Sequence, residues 1–249
     1  MHKLTQKDVL KGLDQQNLDF YLLKTVNSTN TFAKDTNLNK KYLIVLSEEQ
    51  TAGKGRWGNT WYSPDCGNIY MSIKFKDNTN QAPLSLLIGL LISEAMDETS
   101  GKKIHAGLKW PNDLLIENKK VCGILIESEK VSDEIELIVG IGINYALPQK
   151  ESWWGDIGKF KKILPREKLI NAILKKIISY KENGYPDWKA QWEKRCMHQN
   201  AEIKIISNNQ KEEITGIFKG INEEGSMILQ TSDGLKLINS GECSIKGIY

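Results

Sequence analysis

The sequence predicts an α+β fold in two parts, with strands and helices over residues 1–199 and a small all-β part over residues 200–249. Three observations support this. Hydrophobic residues make up 40% of the chain and charged residues 26%, which is typical of a folded globular protein. Alternating runs and helix-periodic runs both occur in the first part. In the second part, short β-rich runs are separated by turn-forming pairs such as Asp-Gly.

The N-terminal third predicts two strands, one helix and a long loop. Residues 20–26 alternate as a strand, and a helix is expected to follow at Ser28, whose hydroxyl suits the N-cap position. Residues 42–46 predict a short buried strand. Residues 47–67 are polar and rich in glycine, and this stretch is too long for an ordinary connection in a compact domain. Such a loop is more often functional.

The middle of the chain predicts a further strand at 69–75 and a helix beginning near Pro83, because proline is tolerated at the first helical position. Residues 84–98 of this helix are apolar on almost every side, which indicates deep packing. Three strands then form an antiparallel meander, at 114–116, 121–127 and 135–145.

The last third predicts two helices and then only strands. Residues 166–180 have helical periodicity, and a second helix near Pro186 carries Trp188 and Trp192. After residue 200 the pattern predicts a small β-barrel of about fifty residues. Its strands are expected at 203–206, 214–221, 227–230 and 235–238.

Composition excludes several classes of protein. A net charge of +3 is too small for a general affinity for nucleic acid or membranes, so any basic site must be local. The N-terminus lacks signal-peptide features, and the longest apolar run, 84–92, is too short to span a bilayer, so a cytoplasmic location is expected. Cys66, Cys122, Cys196 and Cys243 have no metal-ligand spacing, which predicts free thiols.

Residues 50–61 form the most informative segment, in which three glycines alternate with Lys54, Arg56 and two tryptophans. Glycine lets backbone amides approach an anion closely, and the two cations supply full charges for a phosphate or carboxylate. A flexible surface loop with incidental charge is the alternative interpretation. A P-loop is disfavoured because Gly-x-x-x-x-Gly-Lys-Ser/Thr cannot be aligned on the segment. The glycines and cations are expected to gain partners only when anions bind.

A second unusual segment, residues 109–113, places Lys, Trp, Pro, Asn and Asp in sequence before a strand. A solvated turn is the alternative, since Pro-Asn-Asp is also good turn chemistry. Lys120 opens the next strand and is positioned to point back at the same pocket. Residues 140–145 lack the third glycine of a dinucleotide-binding motif, so their small side chains are expected to let a ligand lie against the sheet.

Taken in order, these segments resemble the motif series of the biotin protein ligases, from about residue 20 to the C-terminus. The glycine and cation loop followed by Lys-Trp-Pro-Asn-Asp is highly specific to that family. The matching residues are Ser28-Thr29-Asn30, Gly53-Lys54-Gly55-Arg56 with Gly58 and Trp61, residues 109–113, residues 120–125 and Gly142-Ile143-Asn144.

The resemblance implies a fold and an activity. The fold is a catalytic domain (1–199) with a mixed β-sheet backed by helices, related to class II aminoacyl-tRNA synthetases, and an SH3-like barrel (200–249). The activity uses ATP and Mg²⁺ to convert biotin to biotinyl-5′-AMP with release of pyrophosphate. Biotin then passes to a lysine of a biotin carboxyl carrier domain, in acetyl-CoA carboxylase or a related carboxylase. The enzyme is expected to be a monomer or a homodimer.

The resemblance also assigns roles to individual residues and leaves metal ligands unassigned. Catalysis is carried by Lys120, Arg56 and Asp113, and Asp113 is the nearest motif carboxylate to deprotonate the acceptor lysine. Residues assigned to biotin are Ser28, Thr29, Asn30, Gln50, Gly53, Lys54, Gly55, Arg56, Lys120 and Gly123. Residues assigned to ATP are Lys54, Arg56, Trp61, Asn112, Lys120 and Asn144.

Two residues depart from the family pattern, because Lys54 and Asn59 stand where arginines are more usual. Lysine keeps the charge but loses bidentate geometry, and Asn59 removes a charge near the ATP phosphates. These departures are expected to bear on the affinity for ATP and to leave the type of reaction unchanged.

Two alternatives remain at this point. A lipoate ligase or octanoyl transferase shares the fold but lacks the combination of the two specific segments. A DNA-binding regulator needs about sixty residues for a winged helix-turn-helix, whereas 27 residues precede Ser28. We therefore expect a monofunctional ligase that binds no nucleic acid.

Overall fold

The computed structural model describes residues 3–77, 83–148, 151–206, 213–239 and 241–245, without the side chains of 242–245. Its helices are α1 (Gln6–Val9), α2 (Thr29–Asp35), α3 (Leu84–Ser100), α4 (Arg166–Asn183) and α5 (Trp188–Arg195). Its strands are β1 (Leu18–Val26), β2 (Tyr42–Gln50), β3 (Ile69–Lys76), β4 (Gly107–Lys109), β5 (Asp113–Ile116), β6 (Lys119–Val131), β7 (Glu134–Ile143), β8 (Glu202–Ile206), β9 (Glu213–Ile221), β10 (Met227–Thr231), β11 (Gly234–Ile238) and β12 (Glu242–Ile245).

The first seven strands form one sheet in the order β1-β2-β3-β7-β6-β5-β4. β1 and β2 pair in parallel and the remaining pairs are antiparallel, so the predicted mixed sheet is confirmed. Successive side chains along β2 point to opposite faces of the sheet. Ile44 and Leu46 join the main core with α3 and α4, whereas Leu43 and Val45 pack against Ala33 of α2. Helix α2 therefore covers the face opposite α3 and α4.

Several boundaries differ from the predictions. β2 continues through residues 47–50, which were predicted as loop, because these polar residues still pair with β1 near the sheet edge. Pro83 is the N-cap of α3 and not its first helical residue. β4 was not predicted, since three residues show no alternation. No helix within the described ranges has the length and hydrophobicity that a transmembrane segment needs.

The last five strands form a second, antiparallel sheet in the order β11-β10-β9-β8-β12, which confirms a small C-terminal β-domain. β12 was not predicted. The indole of Trp110, in the turn between β4 and β5, donates at 3.0 Å to the carbonyl of Gly225, which lies between β9 and β10, and so ties the two sheets together. Cys66, Cys122 and Cys196 form no disulfide among the described residues, and the side chain of Cys243 lies outside them.

A buried ion pair fixes the C-terminal end of α2. The Lys74 ammonium lies 2.8 Å from the Glu136 carboxylate, and these side chains are 3% and 7% exposed. Lys74 also donates to the carbonyls of Thr36 and Lys34, at 3.1 and 3.4 Å. Because the last carbonyls of a helix lack partners within it, a cation there is stabilising. Lys74 therefore joins α2 to β3 and β7.

His198 is fully buried at the junction of the two parts, with its ring against Trp192 and Phe218. Among the described residues neither ring nitrogen has a hydrogen-bond partner. Burial, reinforced by the nearby charge of Lys109, lowers the pKa of His198 to about 3. The imidazole is therefore neutral in the folded protein at any physiological pH.

Replacing Lys74 with Met should lower the free energy of unfolding by about 3 kcal/mol or more, because the Glu136 charge stays buried without compensation. The double variant Lys74→Met/Glu136→Leu should recover to within about 1 kcal/mol of the parent. Urea unfolding measures both. Equal losses in the single and double variants would contradict the ion-pair explanation.

His198 should make the protein less stable in acid. Between pH 6.5 and about pH 3 the unfolded chain binds a proton at this residue that the folded chain does not, so stability falls as the pH falls. At pH 4.5 the loss relative to pH 7 is roughly 2.5 kcal/mol. His198→Leu should remove this component, giving a flatter dependence of unfolding free energy on pH. A variant with the parent slope would show that His198 is not the titrating group.

Candidate active site

A cavity of about 550 Å³ lies on the α2 face of the sheet, between that helix, the 50–61 loop and strands β6 and β7. Most of the residues predicted for the site line it: Ser28, Thr29, Asn30, Gln50, Lys54, Gly55, Arg56, Trp61, Asn112, Asp113, Lys120, Gly123 and Asn144. Gly53 does not line the cavity. It is buried behind the wall, where a Cβ atom would lie 2.4 Å from the Trp61 carbonyl oxygen.

The N-terminus of α2 is tied to β2 by the side chain of Gln50. Gln50 Oε1 accepts from the Thr29 amide at 2.8 Å and lies 3.1 Å from the Thr29 hydroxyl. Gln50 Nε2 donates to Ser63 Oγ at 2.9 Å, and that hydroxyl donates to the Trp61 carbonyl at 2.8 Å. These neutral groups form a fixed polar end of the cavity.

The 50–61 loop folds back as a short hairpin. The Gly55 amide donates to the Asn59 carbonyl at 2.7 Å, and the Trp61 amide donates to the Gly53 carbonyl at 2.9 Å. Arg56 stacks on the Trp57 ring at 4.5 Å and donates to Asn112 Oδ1 at 3.4 Å. The expectation that the loop cations gain partners only with bound anions is therefore wrong for Arg56.

Two facing glycines form the floor of the cavity. Gly123 on β6 and Gly142 on β7 are paired in register, and the Trp61 indole lies directly on them. A Cβ atom would lie 2.8 Å from the indole at Gly123 and 2.5 Å at Gly142. The glycines therefore do permit the predicted close approach to the sheet, and the group that lies against them is the Trp61 indole of the chain itself. The indole N–H is buried and has no acceptor among the described residues.

The cationic centre of the cavity is Lys120. Its ammonium lies 2.8 Å from the Asp113 carboxylate and 5.4 Å from the centre of the Trp61 ring. Both charged side chains are mostly buried, at 16% and 11% exposure. Because the two charges attract one another, the Nζ atom is held in one position. Behind it, burial raises the pKa of the Cys122 thiol, which stays protonated.

An aromatic wall completes the cavity, and sequence reasoning missed it. Trp153 and Trp154 line the cavity beside Tyr62, whose ring stacks on Trp154 at 6.1 Å. The segment is fixed to β6, since the Lys120 amide donates to the Trp153 carbonyl at 3.0 Å. Asn144 Nδ2 holds its far end, donating to the Gly155 carbonyl at 3.0 Å. The two adjacent tryptophans in an otherwise polar segment are the sequence feature from which this wall could have been predicted.

The segment 109–113 is not a solvated turn. Trp110 is 2% exposed, and the bond between Trp110 and Pro111 is cis. Asn112 Nδ2 donates to the Ile124 carbonyl at 2.8 Å and so aligns β6 beside the cavity. Within the described part of the chain, no group of three or more His, Cys, Asp or Glu side chains is placed to hold a metal ion.

The sequence and the fold have counterparts among known proteins. Residues 22–144 match the Biotin/lipoate A/B protein ligase family, which defines the class, and residues 199–246 match the Biotin protein ligase C terminal domain. The biotin protein ligase from Aquifex aeolicus, solved in complex with biotin and ATP, is 31% identical. It superposes with a TM-score of 0.72 over 91% of this chain and 97% of that one. The chain belongs to the biotin protein ligase family.

Relatives with curated names agree. The bifunctional ligase/repressor BirA of Escherichia coli K12 is 29% identical over 98% of this chain and 78% of its own length. The biotin–(acetyl-CoA-carboxylase) ligase of Paracoccus denitrificans is 27% identical over 82% of this chain and 90% of its own length.

Gly142→Ala should destabilise the protein by about 1–3 kcal/mol, because the added methyl group displaces the Trp61 indole. Gly89→Ala is the matched control, since a Cβ atom there meets its nearest neighbour at an ordinary 3.6 Å. In helix α3 that control should be neutral or stabilising. Thermal unfolding compares the two, and equal stabilities would show that the indole does not need the bare backbone.

Proposed function

We propose that this protein is an ATP-dependent biotin protein ligase, which forms biotinyl-5′-AMP and transfers biotin to a lysine of a biotin carboxyl carrier domain. One observation carries the proposal. A single cavity has a neutral hydrogen-bonding end at Thr29 and Gln50, a cationic centre at Lys120 and Arg56, and an aromatic wall. These three surfaces match a polar uncharged ring, two anions that must meet, and a nucleotide base.

The neutral end is suited to the ureido ring of biotin. Ser28, Thr29, Asn30 and Gln50 offer hydroxyl and amide groups without net charge, and Thr29 and Asn30 are only 4% exposed. A buried polar site of this kind rejects analogues that leave its groups unpaired. The valeryl chain of biotin would then direct the carboxylate toward Lys120.

The cationic centre is suited to the first chemical step. A biotin carboxylate oxygen attacks the α-phosphorus of ATP, the bond to the β-phosphate oxygen breaks, and pyrophosphate leaves. Both reactants are anions, so Lys120, Arg56 and Lys54 would lower their repulsion and hold them in line. The hydrogen bonds within the loop hairpin favour this arrangement before ligands arrive.

The nucleotide would lie against Trp61, Trp153 and Trp154, with Asn112 and Asn144 on the adjoining wall. Mg²⁺ would enter with ATP, because a nucleotide-borne ion takes phosphates, water and one or two protein oxygens as ligands. Asp113 and Asn112 carry oxygens of that type. When bound, the ion would neutralise part of the charge on the phosphates.

In the second step the acceptor lysine amine attacks the carbonyl carbon of the anhydride, the bond to the phosphate oxygen breaks, and AMP leaves. We assign proton removal from that amine to Asp113. The acceptor would be a carrier domain of acetyl-CoA carboxylase or a related carboxylase, the location cytoplasmic, and the enzyme a monomer or homodimer. Lipoate ligation is disfavoured because residues 199–246 match the Biotin protein ligase C terminal domain.

The full chain, incubated with ATP, Mg²⁺, biotin and a carrier domain, should add one biotinyl group to a carrier lysine, detected by mass spectrometry. Lys120→Met should reduce the rate by about 10²–10³, because one charge at the reacting centre is lost. A carrier whose target lysine is replaced by arginine is the control for lysine-specific labelling. Pyrophosphate exchange supported by lipoate and not by biotin would refute the proposal.

A further inference from the structure

Glu127 is a carboxylate beside the neutral end of the cavity that none of the roles above includes. It lies on β6, five residues beyond the buried Cys122, and its side chain is half-buried. Its Oε2 atom accepts a hydrogen bond of 2.6 Å from Asn30 Nδ2. The contact joins residues 97 positions apart in the chain, so a short sequence motif does not contain it.

The amide of Asn30 lies across three neighbouring strands. Its Oδ1 atom accepts from the fully buried Ser72 hydroxyl of β3 at 2.6 Å, and its Nδ2 atom reaches Glu127 of β6. Between them lies Gly140 of β7, where a Cβ atom would be 2.4 Å from Asn30 Oδ1. Rotation of the Asn30 side chain is therefore blocked by the Gly140 backbone and restrained by a hydrogen-bond partner at each end of the amide.

The charge of Glu127 decides which way the amide faces. The oxygen and nitrogen of an amide are alike in size, so its orientation is set by its partners. An ionised carboxylate only accepts hydrogen bonds, so Asn30 must present its NH₂ group to Glu127. The Asn30 oxygen then faces Ser72.

The fixed orientation of the Asn30 amide also constrains the hydroxyl protons of Ser72 and Thr29. Ser72 has one hydroxyl proton and two neighbours, Asn30 Oδ1 at 2.6 Å and Thr29 Oγ1 at 2.8 Å. Asn30 Oδ1 is only an acceptor and takes the Ser72 proton. Thr29 Oγ1 then receives no proton from Ser72, and its own hydroxyl donates to Gln50 Oε1 at 3.1 Å. Both of its lone pairs are left as acceptors at the cavity wall.

We propose that Glu127 is a positioning residue that fixes the proton direction of the Asn30–Ser72–Thr29 chain and thereby makes Thr29 a hydrogen-bond acceptor toward the substrate. The matching substrate group is an N–H donor, which a cyclic urea carries and the dithiolane ring of lipoate does not. This part of the inference rests on the proposed function. Glu127 itself contacts no substrate and acts through Asn30.

The test compares three variants of the full chain. Glu127→Met removes the acceptor and should raise KM for biotin about tenfold, while KM for ATP stays within about twofold. Glu127→Gln keeps an oxygen that can accept from Asn30 but adds an N–H donor, so it selects the orientation less strictly and should give a KM for biotin between those of the parent and Glu127→Met. Glu129→Met, two residues along the same strand and on the same face, is the matched control and should resemble the parent.

A second measurement needs no substrate. In the unliganded protein, the side-chain amide protons of Asn30 should exchange slowly in the parent, at an intermediate rate in Glu127→Gln, and quickly in Glu127→Met, by NMR. An unchanged KM for biotin in Glu127→Met would overturn the inference. So would equal increases in both KM values, or an Asn30 amide that remains protected. If the parent ligates no biotin, the proposed function fails, and the Asn30 exchange rates still decide the role of Glu127.

Discussion

The site depends on one physical constraint, which is that the central strands must carry no side chains where the cavity meets the sheet. Gly123, Gly140 and Gly142 lie on adjacent strands and face α2, and each would collide with a neighbour if it carried a Cβ atom. Glycine weakens a strand because it adds no packing and costs more entropy on folding. The long antiparallel pairing of β6 with β7 offsets that cost and supplies a flat backbone surface. The Trp61 indole and the Asn30 amide occupy this surface.

Helix α2 is held at both ends, and this explains how a helix of seven residues can carry part of a binding site. At its N-terminus, Thr29 and Asn30 bond to Gln50, Ser72 and Glu127. At its C-terminus, Lys74 bonds to the last carbonyls while paired with Glu136. A helix this short is marginal on its own, so tertiary contacts determine its position. The polar end of the cavity is therefore organised by the sheet.

Local patterns predicted most of the fold and the segments that line the cavity. The helices α3 and α4 and the strands of the meander follow from periodicity, and the 50–61 loop from its glycines and cations. Contacts between distant residues could not be predicted. Glu127 and Lys74 are ordinary charged residues until strand register brings them to Asn30 and Glu136. β4 consists of three residues and is defined only by its pairing with β5.

The hydrogen bond from Trp110 to the Gly225 carbonyl has a consequence for how the chain can be divided. Trp110 lies within the segment that aligns β6, yet its partner lies in the C-terminal domain, and His198 is packed at the same junction. Two fragments separated near residue 199 would each expose an apolar surface that the other normally covers. Exchanging either part between homologues would therefore require matching the residues of this junction as well as those of the cavity.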